Sequence, residues 1–375
     1  MSRTLNIANI RTAMEQAGLS QAALAKKLDV SREITSKWLS GAKYPRPDKL
    51  LRISSALQLG LDDLVTRAPD PNEPVIAFRK KGSATTTARH IARAKNMGCL
   101  LSGLVPYLPF DEFIQPPRLK NPRLDYEYIQ SFAASVRQAA KLSLDQVIDF
   151  VDLIGMFHGL QAVIIPVLWG RKDVHENALH IYLPDSMTTW IYLNLDTEAH
   201  DFKFWMAHEL GHVFSPDLRG EPAEDFADAF AGALLFPGKL AEQAYNDVSA
   251  SRSDRNRISK IKEYALEYAI SLISVYVEIN NYAVNAGRPE IELGDSLFGA
   301  NANFNKRFMT ISGSLFDGEN PGAADYINVA REAFKTSFFD ALEKYLVEHG
   351  NSMGFIQSIL DIPLIDAKEL YAELS

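Results

Sequence analysis

Cysteine is almost missing from this chain: Cys99 is the one thiol in 375 residues. An internal disulfide is therefore excluded, and a zinc site built on thiolates has nothing to draw on. No apolar run reaches the roughly eighteen residues that a membrane-spanning helix needs. The opening stretch MSRTLNIANIRTAMEQ also lacks the apolar core of a secretory leader. These shortages fit a reducing compartment, so a cytoplasmic location and no membrane partner are expected. Glycine-rich phosphate loops and internal repeats are absent too. Acids are scarce at one end only. Residues 1–95 carry a net charge of +9 and the remaining 280 carry −17, against −8 for the whole. A basic head on an acidic body is the asymmetry expected when one region meets phosphate and another does not; an ordinary basic surface is the alternative.

What is present is close to average for globular proteins, with 47% hydrophobic and 23% charged residues. The length predicts two or three domains. Over residues 1–67 the chain reads as short helices with tight joints. Ser20 can cap a helix from Gln21 to Leu28, Ser31 another to Leu39 ended by Gly41, and Pro47 starts a third. Two helices joined by a few residues within a five-helix unit follow the helix-turn-helix plan. The run LSQAALAKKLDVSREITSKWLSG…YPRPDKLLRISSALQLGLDDLV resembles the phage-repressor/Cro-like (XRE) family. That resemblance implies a domain on double-stranded operator DNA, used as a homodimer. It places Arg32, Glu33, Ser36 and Lys37 toward base edges and Gln21 toward the phosphate backbone. Thr35 departs from the family's usual aliphatic core residue, and Leu39 from a common acid. Residues 68–124, rich in proline at first and then basic at Arg79, Lys80 and Lys81, read as a connector.

The strongest chemical signal is FWMAHELGHVFSPDLRGEPAEDFADAFAGALLFP. His208 and His212, four apart, share one face of a helix and can converge on one ion. Glu209 between them can act as a base without ligating, the logic of HExxH. Twelve residues past His212, Glu224 and Asp228 repeat the i, i+4 spacing on a second helix. Glu224 can supply a third ligand and Asp228 can orient a ligand histidine. Glu221 and Asp225 are the other candidate ligands, and a solvated acidic helix start is the plain alternative for all four. Two His and one Glu leave the fourth tetrahedral position open, as in catalytic zinc sites. His200 reads as a surface residue and Tyr192 as a strand residue; His90, His158, His175, His180 and His349 show no ligand spacing.

The pattern Glu224, Ala227, Asp228, Phe230, Ala231, Leu234, Leu235, Pro237 after AHELGH is similar to the ImmA/IrrE family of zinc metallopeptidases. The resemblance spans 125–286. Upstream it has helices near Asp125–Ala140 and Leu144–Phe157 and strands near Ala162–Val167, Leu179–Leu183 and Thr189–Asn194; a closing helix pair lies around YALEYAISLISVYVEINNYA. It implies a zincin-like fold with a small β-sheet, a gluzincin-type zinc endopeptidase, and a repressor- or antitoxin-like protein as substrate. Residues 287–375 read as a helical packing or docking region. The expected fold class is thus α+β, mostly α-helical. The expected function is a DNA-binding transcriptional regulator fused to a zinc endopeptidase acting on a regulator encoded nearby. The alternative is an antitoxin-like autorepressor whose peptidase-like domain grips a toxin without cutting it.

Overall fold

The computed structural model describes residues 3–67, 72–80, 87–110, 118–170, 176–317, 320–350 and 352–375. The chain forms two compact units, Met1–Glu73 and Pro74–Ser375. Arg79, Lys80 and Lys81 of the expected basic run, and His175, have side chains outside the described residues.

In the first unit, β1 (Arg3–Leu5) precedes helices α1 (Ile7–Gln16), α2 (Gln21–Leu28), α3 (Arg32–Leu39), α4 (Pro47–Leu57) and α5 (Leu61–Leu64); β2 (Val65–Arg67) then pairs antiparallel with β1. Side chains set the boundaries. Ser20 and Ser31 accept from the amides of Ala23 and Ile34, satisfying orphan donors at the starts of α2 and α3. Asp29 takes the left-handed conformation that ends α2. Ile10, Leu24, Leu28, Trp38, Ile53, Leu57 and Leu64 form the core. Thr35, unusual for its family, is buried and sends its hydroxyl back to the Ser31 carbonyl at 3.3 Å, which removes the cost of a buried donor. Two of the basic residues are structural. Arg11 donates to Leu39 O at 3.4 Å and Lys49 to Leu28 O at 3.1 Å, each capping a helix C-terminus.

The second unit is built around a four-stranded mixed sheet ordered β3-β5-β6-β4, from β3 (Val75–Lys80), β4 (Val163–Val167), β5 (Glu176–Leu183) and β6 (Thr188–Asn194). β5 runs antiparallel to both β3 and β6, and β4 runs parallel to β6. The stretch expected as connector therefore contains an edge strand, followed by helix α6 (Ala88–Leu101). Before the sheet's central strands come α7 (Tyr126–Ala139) and α8 (Phe150–Gly159). The second of these starts later than its apolar pattern suggests, because Asp149 and Asp152 form a capping box there. After β6 follow α9 (Ala199–Phe214), α10 (Glu221–Leu235), α11 (Gly238–Ser249), α12 (Asp254–Tyr268) and α13 (Leu272–Asn285). The C-terminal helices α14 (Gly294–Asn305), α15 (Ile311–Leu315), α16 (Ala323–Phe334), α17 (Phe338–His349), α18 (Met353–Leu360) and α19 (Leu364–Leu374) complete the unit. Phe338, Phe339, Leu342, Ile356, Ile359 and Leu360 of this region join the same core as the sheet.

Two buried cations brace the helices of interest. Arg137 on α7 donates to the carbonyls of Leu234, Ser143 and Gln146, tying α7 to the end of α10. Lys203 on α9 donates to Tyr268 O at 2.6 Å, at the C-terminal end of α12, where a positive charge meets the negative end of the helix dipole. No helix among the described residues is long and apolar enough to cross a membrane.

Candidate metal centre

Helices α9 and α10 cross where Gly211 faces Ala227. A Cβ on Gly211 would lie 2.8 Å from the Ala227 Cα, so only glycine permits this approach. The close crossing brings the polar stripe of one helix against that of the other. His208 Nε2 and His212 Nε2 lie 3.0 Å apart, and Glu224 reaches them at 3.4 and 3.5 Å. A tetrahedral ion with bonds near 2.0–2.1 Å has ligand-to-ligand edges of about 3.3 Å; the two imidazole nitrogens lie near that spacing, and His208 and His212 each face a different oxygen of the Glu224 carboxylate at a similar one. One ligand atom from each of these residues falls within 4.8 Å of the others. The donor set, two imidazoles and one carboxylate, suits zinc. Glu221 and Asp225, the other acids of the α10 start, are exposed and outside this group.

The surroundings fix these rings. His208 Nδ1 donates to Asp228 Oδ1 at 2.8 Å, which leaves Nε2 turned toward His212 and Glu224. Trp205, one turn earlier, packs edge-on against His208 with ring centroids 6.0 Å apart. Glu209 is 1% exposed and its charge is felt at His208. Burial alone would push the His208 pKa down, yet the hydrogen bonds to Asp228 and Glu224 and the charge of Glu209 outweigh it and raise the pKa to about 9. The pocket thus prefers a positive charge between its acids, whether a proton or a metal ion.

His180, for which no role was foreseen, stands beside this centre. It lies mid-strand in β5 at 2% exposure, with its ring 5.7 Å from that of His212. Burial, with the charges of Arg219 and His208, lowers its pKa to about 3, so the ring is uncharged. A single histidine at an inward position of the otherwise apolar run ALHIYL was the available signal. His200, expected on the surface, is instead buried between Phe304 and Phe308. Tyr192 is a buried strand residue whose hydroxyl donates to Ile359 O at 2.7 Å. His90 caps α6 with Thr87, and His349 stacks on Tyr345 at the surface. A separate cleft of about 1420 Å³ opens near Trp169, Asp196, Ser312, Tyr326 and Asp361, away from the metal-centre residues.

In the first unit Gln21, Arg32, Glu33, Ser36 and Lys37 are all exposed. The last four fall at i, i+1, i+4 and i+5 along α3 and form one stripe.

Residues 10–64 match the helix-turn-helix family model. The first unit is a helix-turn-helix domain of XRE type, and that match supports a DNA-binding regulator. No curated protein matches the chain. Among solved structures, ComR from Streptococcus suis is similar at 11% identity over 98% of this chain and 92% of that one, with a TM-score of 0.14. At that score the likeness carries no argument about fold or function.

Proposed function

We propose that this protein is a DNA-binding regulator whose second unit is a zinc-dependent endopeptidase of the ImmA/IrrE type. The observation that carries the reading is the convergence of His208, His212 and Glu224 to within 4.8 Å, with the buried Glu209 alongside. A zinc ion held by these three residues would supply a Lewis acid that polarises a peptide carbonyl and acidifies water. Asp228 keeps the His208 ring in the tautomer that offers Nε2. Glu209 accepts a proton from the attacking water and passes it to the leaving amine. His208, Glu209 and His212 are buried while Glu224 and Asp228 are part-exposed, so the imidazoles and the base sit in a low-dielectric wall that opens to solvent on the α10 side. The exposed α3 stripe reads operator DNA, with a second copy of the chain on the other half-site. The substrate class is a repressor- or antitoxin-like protein encoded nearby.

The test incubates wild type and Glu209→Gln with the protein encoded by the adjacent open reading frame, with zinc and with a chelator, with and without DNA. A cleavage product that appears with zinc-loaded wild type and is absent from Glu209→Gln and from the chelated sample is the expected result. Uncut bands in every lane, from protein that contains zinc, would instead favour an autorepressor that grips its partner.

A further inference from the structure

His180 belongs to a buried strand, and an apolar residue there would pack without cost. Its Nε2 is buried with no hydrogen-bond partner among the described residues. A buried donor or acceptor left in this way is costly, and native chains keep one where something else completes it. Register places His180 opposite Ala77 of β3 and Ile191 of β6, so neither neighbouring strand offers a side-chain partner at that level. What the ring does meet is His212, at 36° and 5.7 Å between centroids. Its nitrogens stand outside the three-residue donor group, so it flanks the centre without joining the ligands. Two histidines and one glutamate leave one position of a tetrahedral ion open. A polar ring packed against a ligand histidine is suited to the oxygen of whatever occupies it.

We propose that His180 is a hydrogen-bond donor to the oxygen that a peptide carbonyl places at this centre, sharing with the ion the negative charge that develops there during attack. The proposal rests on the endopeptidase reading for its substrate but not for its test. No bond to His180 forms or breaks; the ring donates through one nitrogen and returns unchanged. The arrangement also explains why a strand that packs against the metal helix carries a histidine where Leu179 and Ile181 flank it.

The test loads wild type, His180→Phe and His180→Gln with Co²⁺ and titrates acetohydroxamate, an oxygen ligand, against the visible cobalt bands. Phenylalanine keeps the ring's volume, and glutamine restores an N–H; circular dichroism and urea unfolding establish that each variant folds. All three proteins should bind one Co²⁺. The acetohydroxamate Kd should rise about tenfold or more in His180→Phe and recover in part in His180→Gln. An unchanged Kd in folded His180→Phe would overturn the proposal, leaving the residue as packing. Loss of Co²⁺ from folded His180→Phe would also overturn it, by making His180 a ligand. Because cleavage is not read here, the two readings fail separately: a weakened Kd in His180→Phe, with no cleavage by wild type in the earlier test, would keep His180 as a donor to a metal-bound oxygen and remove only the peptide as the source of that oxygen.

Discussion

The exposed stripe on α3 and the crossing of α9 with α10 put candidate functional side chains at the same helical spacing, and they are held in opposite ways. On α3, Arg32, Glu33, Ser36 and Lys37 stand in solvent, held only by the helix beneath them. At the crossing, His208 is gripped at one nitrogen by Asp228, edged by Trp205, and brought against Glu224 by a contact that only Gly211 allows. A recognition face distributes its energy over many small terms. A metal centre concentrates it in few groups whose orientation is over-determined. Substitutions at the crossing should therefore change zinc binding and leave operator binding alone, and those on α3 should do the reverse.

The steepest expected effect is on catalysis. Glu209→Gln should lower cleavage about 10²–10⁴-fold while zinc content, read by inductively coupled plasma mass spectrometry, stays at wild-type level. Next comes geometry: Gly211→Val drives a side chain into the α10 backbone and should cost about 1–3 kcal/mol in urea unfolding, with zinc affinity falling in parallel. Asp228→Ala removes the acceptor that holds the His208 ring, and zinc affinity of the folded variant, measured against a competing chelator, should drop about 10–100-fold. On α3, Arg32→Ala should weaken operator binding by about 1–3 kcal/mol in fluorescence anisotropy and leave zinc binding untouched. Loss of zinc from an α3 variant, or of operator binding from a variant at the crossing, would break the contrast.

A further effect, outside both regions, is a matter of pH and lies on α13. Glu278 is buried against α10, where a Cβ on Gly232 would meet its carboxyl at 2.2 Å, and burial raises its pKa to about 8 despite the hydrogen bond from Asn281. The folded chain therefore binds a proton that the unfolded chain releases near its ordinary value of 4.5. Stability from this group is fully present below that value and is lost as pH rises through about 8. Relative to wild type, the urea midpoint of Glu278→Gln should rise as pH goes from about 4, below the unfolded value, to pH 8; a constant gap would contradict the assignment.

How much of this was legible in the sequence depends on whether a relation is local. His208, Glu209 and His212 share a helix, so a period of 3.6 residues converts their spacing directly into a common face. Glu224 needed one more step, the packing of a neighbouring helix. Glu221 and Asp225 remained runner-up candidates until the helix's rotation placed them in solvent. The edge strand Val75–Lys80 was hidden by flanking prolines and a basic run, and its partner β5 lies about a hundred residues on. His180 was missed for the same reason: strand pairing and helix packing bring it to His212, and neither leaves a periodic mark. His200 reads as exposed until Phe304 and Phe308, from α14 and the turn after it, close around it. The charge division behaves differently, being a sum over many residues, and it still overcounts the reading surface, because Arg11 and Lys49 cap helices.

The central claim is that one zinc ion sits between α9 and α10 on His208, His212 and Glu224. Zinc per chain, measured after dialysis against buffered zinc for wild type, Glu209→Gln, His208→Ala, His212→Ala and Glu224→Ala, tests it most directly. The account predicts one zinc in wild type and Glu209→Gln, with loss in the three ligand variants. Wild type without zinc, or zinc retained by folded forms of all three ligand variants, would contradict it.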